Sequence, residues 1–395
     1  INNFIIMKSL ITSILLFCSL IVTCQNKEFT VILKDQNSKV VVKEATITIF
    51  KNSNSAMSND DGVFKFSITG DSDVEIIHED YLPIYVNTAE FTEKVNIVYM
   101  TPLDKQLEEI IITKVHPQLL LEDLIANSTK SLTTPINLKI YVLEFFKKNN
   151  VYSSFNDGLL NFQIYNNGSS RKSDILVEQN RFYGLVEESL WANAIGYNLN
   201  NLIVNYYDFN YLKVVLENKA LKKYDFQVRG INTNPDLYVM HINVMDHVKE
   251  ALADFEIIYD YKKNLIVEII SQINPSKYEY ADVTKFNITK GKMFHSFFNA
   301  KYKMEGDLYY LNSSKEEIGI DHVNKKKKVD KIEVKNYFVT TSRDRELMKY
   351  NKEDVYTQQS LNNINTNFQY DYWDFNSGLT PTEEERKIIE TLAEF

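Results

Sequence analysis

Few residues of this 395-residue chain stand at spacings that could do chemistry. His247-Val248-Lys249-Glu250 is a His-x-x-Glu, which can turn two ligands towards one zinc ion. A catalytic zinc needs a third protein ligand and an open position. His295 and His322 are available for that place, but no motif surrounds either. With six histidines in the chain, one such spacing by chance is unremarkable. Glu187-Glu188 and Glu316-Glu317 are paired acids, yet strand neighbours point to opposite faces, so both pairs are expected at the surface. Asn59-Asp60-Asp61 offers the oxygens of a calcium loop, but Gly62 behind it makes a tight turn the simpler reading. A His-Glu-x-x-His, a Gly-rich phosphate loop and a Gly-x-Ser-x-Gly elbow are all absent. The chain reads as non-catalytic, without cofactor or metal.

Binding is the better prospect. Tyr206-Tyr207-Asp208-Phe209-Asn210-Tyr211 is the densest aromatic cluster. Tyr206, Tyr207, Phe209 and Tyr211 would suit stacking on a sugar or lining an apolar cavity, against the plainer alternative of rings packed on a sheet. Lys325 to Lys328 reads as a solvated hairpin loop, with anionic lipid headgroups the weaker alternative. With 44 Lys and Arg against 53 Asp and Glu, the net charge is −9. That balance argues against nucleic acid, whose phosphates need a basic surface. The partners left are an envelope protein or an apolar or glycan ligand.

The address comes from the first residues. Met7-Lys8 looks like a start, with residues 1–6 an upstream extension, and LITSILLFCSLIV from Leu10 to Val22 carries no charge. A basic start, a short apolar run and small residues after it describe a secretory signal peptide over residues 1–24. The run is shorter than the roughly 20 residues that span a bilayer. Cleavage would leave Gln25 first. Lipid processing at Cys24, which would add membrane association, is the alternative, because Ile21-Val22-Thr23-Cys24 resembles a lipobox with Thr in place of the usual small residue. Both cysteines fall in this segment, so the exported chain would hold no disulfide. The expected location is the periplasm or the outer membrane.

The elements behind these residues are mostly strands. Phe29 to Leu33, Ala45 to Ile49, Val63 to Ile68, Val74 to His78 and Val95 to Tyr99 alternate in the period-2 manner, with turns between them at the spacing of a β-sandwich. The order Ala45-Thr46-Ile47-Thr48-Ile49, Ser58-Asn59-Asp60-Asp61-Gly62-Val63-Phe64, Asp80-Tyr81-Leu82-Pro83 and Leu107-Glu108-Glu109-Ile110-Ile111-Ile112 resembles the carboxypeptidase-regulatory-like domain. The family usually has Thr-Asp before its Asp-Gly turn and Gly-Tyr where this chain has Asp80-Tyr81. The resemblance spans residues 25–113 and implies a transthyretin-like sandwich acting as an interaction module in a Gram-negative envelope protein. A receptor with a 22-stranded barrel would need a much longer chain.

Residues 114–395 read as a larger antiparallel, β-rich α+β domain. Pro117 marks a boundary. Leu119, Leu120, Leu124, Ile125 and Ser128 to Leu132 fit the apolar side of a helix, with Glu122 and Asp123 opposite. Strands are expected at Ile136 to Phe146, Gly158 to Tyr165 and Phe226 to Arg229, with a hairpin of 255–259 and 265–269 about Lys262-Lys263-Asn264. A meander follows: His295 to Met304, Leu308 to Asn312, Ile318 to Val323 and Ile332 to Val339. Trp191 to Leu202 suits a helix, as does Thr382 to Leu392, with Glu383, Glu384 and Glu385 in its first turn. Phe145-Phe146-Lys147-Lys148-Asn149, Asp157-Gly158-Leu159-Leu160 and Tyr372-Trp373-Asp374-Phe375-Asn376 resemble the uncharacterised domain that follows such a sandwich in short envelope proteins. A long curved sheet with few helices is also the layout of periplasmic lipoprotein carriers, whose half-barrel holds acyl chains. The whole is mainly β.

Overall fold

The structure is a computed structural model, and it describes residues 26–103, 111, 113–168, 170–184, 198–231, 234–286, 289–323, 326–361, 373 and 375–394. The expected export segment with Cys24 lies outside these residues, as do Leu107 to Ile110, Ile112, Glu187-Glu188 and Trp191 to Tyr197. The chain divides into two compact units, Ile1–Pro102 with Gln369–Thr382, and Leu103–Phe368 with Glu383–Phe395. In the first unit the last strand among the described residues ends at Met100. The segment 369–382 belongs with this unit: Leu379 bridges Met57, and the Asn59 side-chain amide donates to the Thr380 carbonyl at 3.0 Å.

Among the described residues the first unit has seven strands, β1 (Asn26–Asp35), β2 (Thr46–Ile49), β3 (Asn54–Met57), β4 (Val63–Thr69), β5 (Asp73–His78), β6 (Tyr81–Asn87) and β7 (Val95–Met100). They form one sheet in the order β4-β1-β7 and another in the order β3-β2-β5-β6. Alternation puts Val31, Leu33, Ile47, Phe64, Phe66 and Ile76 into one apolar core. The Asn59 to Gly62 stretch is a turn: Asn59 Oδ1 accepts from the amides of Asp61 (3.0 Å) and Val63 (2.8 Å). Gly62 sits at φ +71°, and a Cβ there would come within 2.8 Å of the Leu33 carbonyl oxygen. Only glycine meets both demands.

The second unit carries β8 (Ile136–Lys148), β9 (Val151–Asn167), β10 (Ser170–Gly184), β11 (Tyr224–Gly230), β12 (Leu237–Val244), β13 (Ala253–Asp260), β14 (Leu265–Ile273), β15 (Val283–Phe286), β16 (Thr289–Glu305), β17 (Leu308–Val323) and β18 (Val329–Asp344). They make an 11-stranded sheet in the order β10-β9-β8-β18-β17-β16-β14-β13-β12-β11, with β15 on β16. The two ends do not pair, so the sheet is open. Leu308 to Asn312 and Ile318 to Val323, expected as two strands, are one 16-residue strand running through Ser313 to Glu317.

Helices α1 (Pro117–Ser131), α2 (Leu199–Tyr207), α3 (Lys213–Leu216) and α4 (Glu383–Ala393) complete this unit. Pro117 opens α1 at its first turn, where its missing N–H costs nothing. Leu121, Leu124 and Ser128 face the core, whereas Leu119, expected on that side, is 52% exposed. A helix starting at Pro117 turns position 119 about 200° from position 121, hence to solvent. Helices α1, α2 and α3 close over one sheet face, where Ile140, Val142, Leu160, Phe162 and Phe338 are buried with Leu121, Leu202 and Tyr206. On the opposite face Lys335 of β18 reaches Glu385 of α4 at 3.1 Å.

Candidate functional site

The zinc spacing does not assemble. His247 and Glu250 are both exposed, and Glu250 is held by Lys223 at 2.5 Å. His295 hydrogen-bonds Glu317 at 3.1 Å instead, and His322 stands opposite Asp330 near the far end of β17. Among the described residues the group of three potential ligands that does converge is His78, Glu79 and Asp80. There His78 Nδ1 accepts the Asp80 amide at 3.0 Å, which is the bonding of the β5–β6 turn.

The aromatic cluster is interior. Tyr206 and Tyr207 are fully buried and Phe209 nearly so, and Tyr211 packs beside them. The Tyr211 ring stacks on Phe298 of β16 with centroids 4.3 Å apart, and Tyr206 stacks on the same ring at 5.7 Å. Tyr302 donates its hydroxyl to the Tyr206 carbonyl at 2.8 Å, fixing α2 on the sheet. Rings packed on a sheet, the plainer alternative, account for these contacts.

What these tyrosines address was not expected. The hydroxyls of Tyr206 and Tyr211 each donate to Glu316 Oε1 at 3.0 Å. Glu316 and Glu317 point to opposite faces and both are half-buried, Glu316 on the side covered by α2. Burial pushes its carboxyl above the ordinary value, against the two phenol hydrogen bonds that pull it down. Asn336 of β18 is the register partner of Glu316 on one side and of Glu144 on the other. Glu144 in turn accepts from the Asn156 amide at 2.9 Å. Asn156, Glu144, Asn336 and Glu316 therefore make a polar row across β9, β8, β18 and β17 on the helix-covered face. Asn336 is 0% exposed, and neither its side-chain oxygen nor its nitrogen has a hydrogen-bond partner.

Glu317, on the other face, is held well below the ordinary value, at about 2, by the His295 hydrogen bond first and by Lys315 and Lys335 after it, against burial. Its folded-state pKa is depressed, so it contributes stability above the unfolded value of 4.5 that is lost as pH falls towards 2. Glu317→Gln should therefore weaken the protein near neutral pH and lose less on acidification. Urea midpoints at about pH 6 and about pH 3 check this; equal acid sensitivity of the two proteins would refute it.

Open space is found elsewhere. A cleft of about 370 Å³ is lined by Leu176, Val177, Lys349, Tyr350, Asn351 and Asp354. Another of about 230 Å³ lies beside Tyr278, His295, Phe297 and Glu317. The space beside Glu144, Asn156, Leu199 and Leu361 measures only about 10 Å³, near what one water needs. Among the described residues, the space at the start of α2 is thus too small for a ligand.

No family model and no curated protein matches this chain. Among solved structures, a DUF1329 family protein from Desulfovibrio piger is 8% identical over 57% of this chain and 94% of its own, with a TM-score of 0.26. A LolA superfamily protein from Nitrosomonas europaea is 7% identical over 60% of this chain and 97% of its own, with a TM-score of 0.22. Among the described residues, no helix is long and apolar enough to cross a membrane.

Proposed function

We propose that this chain is an exported, non-catalytic binding protein of the cell envelope. Its larger unit would hold an apolar or amphipathic molecule against the helix-covered face of the open sheet. One observation carries the reading: beside the longer α1, that face is closed by the short helices α2 and α3 and the turn at Phe209. Helix α2 is nine residues long, and the helix after its turn only four. Elements this short are marginal alone and hold their place by packing. They occupy the space a ligand would take, so this arrangement is read as the ligand-free form and α2 as the plug.

Native mass spectrometry of protein purified from its own envelope tests this. An apolar molecule retained by the full chain is expected. Folded protein that carries none, and takes up no added long-chain alcohol, would overturn the reading. The smaller unit fits the role of an interaction module, because Val95, Ile97 and Tyr99 stand exposed on the edge strand β7. The same spectra read a retained protein, whose absence counts against that role.

A further inference from the structure

We propose that the polar row under α2 is a head-group site for an organic amine, with Glu316 and Asn336 as its principal contacts. The inference rests on the binding reading above and names the chemistry of the molecule held.

The observations converge from separate directions. Glu316 is a carboxylate whose hydrogen-bond partners are two neutral phenols, both on Oε1. No basic side chain among the described residues pairs with it. The bases beside it in sequence and in register turn away: Lys315 meets Glu317 at 3.3 Å and Lys335 meets Glu385 at 3.1 Å on the other face. A carboxylate half-buried under α2 with no cation beside it is costly, and burial raises its pKa accordingly. Asn336 adds an independent demand. A buried amide with every donor and acceptor unused carries a desolvation cost with no return, so natural proteins rarely leave one without a ligand or water.

The two demands define one ligand chemistry. A protonated amine carries donors for Glu316 Oε2 and for Asn336 Oδ1. An oxygen near the nitrogen, as in an amino alcohol, would accept from Asn336 Nδ2. Adjacent strands lie about 4.8 Å apart, so one small head group can span both side chains. Phe298, Phe338, Tyr206 and Tyr211 surround the place with rings whose faces also favour a cation. On the other side of the row the same face continues through Phe338, Leu311 and Tyr302 to the Phe209 turn, an apolar stretch that the tail would follow. A single charged head beside apolar surface calls for an amphipathic amine rather than a free polyamine.

The test compares three ligands of one chain length, dodecylamine, dodecanol and dodecanoate, by calorimetry on the full chain below their micellar concentrations. Dodecylamine is expected to bind at least about tenfold more tightly than dodecanol, with dodecanoate weakest. Glu316→Gln, which can still accept from both tyrosines, should abolish the amine preference. Glu317→Gln, on the other face, should keep the preference. Equal binding of all three by the wild type would overturn the amine site while leaving an apolar carrier standing. A preference that survives Glu316→Gln would overturn it too, with water as the partner of Asn336. No binding of any of the three by folded protein would remove both readings. The wild-type comparison stands even if the variant fails to fold.

Discussion

Replacing Asp157 by alanine is expected to destabilise the larger unit by about 3–5 kcal/mol, the usual result of stranding a buried charge. Asp157 is 0% exposed on β9, and Arg181, its register partner on β10, retains 13% side-chain exposure. The guanidinium engages both carboxylate oxygens, with Nε to Oδ1 at 3.0 Å, and Tyr141 of β8 donates its hydroxyl to Oδ2 at 2.9 Å. Burial pushes the carboxyl up and the guanidinium beside it pulls it down; burial works against the Arg181 guanidinium too, but the Asp157 hydrogen bond and charge outweigh it and leave it raised. Removing the acid leaves a cation and a phenol in an interior that cannot solvate them. Changing Asp157 and Arg181 together to apolar residues should cost less than the single change, because no charge is then stranded. Urea unfolding of the four proteins in a double-mutant cycle measures both statements. A single-variant loss below about 1 kcal/mol would show the pair to be no better than a surface bridge.

That pair was invisible in the sequence, and the reason is physical. Asp157 and Arg181 meet only because β9 and β10 pair in one register, and a slip of one residue would send each side chain to the other face. The same holds for Glu144, Asn336 and Glu316, which lie far apart in the chain and side by side in the sheet. Local order was more legible. The Asn59 to Gly62 turn, the hairpin about Asn264 and the acid-led helix α4 each carry their instructions within a few residues. Strand β10 carries no clean period-2 signal, because its burial pattern breaks around a bulge between Val177 and Gln179. Strand β17 was split because Ser313 to Glu317 is polar throughout. It stays in the sheet because those polar side chains find partners: Glu316 takes two tyrosines and Glu317 takes His295 and Lys315. The aromatic cluster was found from composition, but its role as a cover over an acid depends on non-local contacts.

Phe209→Ala should cost about 3–5 kcal/mol of stability, yet Phe209→Gly should cost less although it removes more. Phe209 is 1% exposed, and its ring lies 5.1 Å from that of Tyr302, so either variant forfeits this packing. The backbone decides between them. Phe209 sits at φ +48°, ψ +41°, a left-handed conformation that bulky residues rarely adopt and that stores about 1–3 kcal/mol. Alanine keeps that strain without the ring that offsets it, whereas glycine relieves it. The seat of the plug is thus a bulky ring whose burial holds an unfavourable turn. Emptying it leaves apolar space between the Phe209 turn and the sheet, of the kind that stays dry and takes apolar molecules. Dodecanol should therefore raise the urea midpoint of Phe209→Ala by more than that of the wild type, because in the variant it need not first displace the ring. Alanine less damaging than glycine would contradict the strain argument. Equal shifts with dodecanol in variant and wild type would contradict the plug, because the ring's place would then not be where the ligand goes.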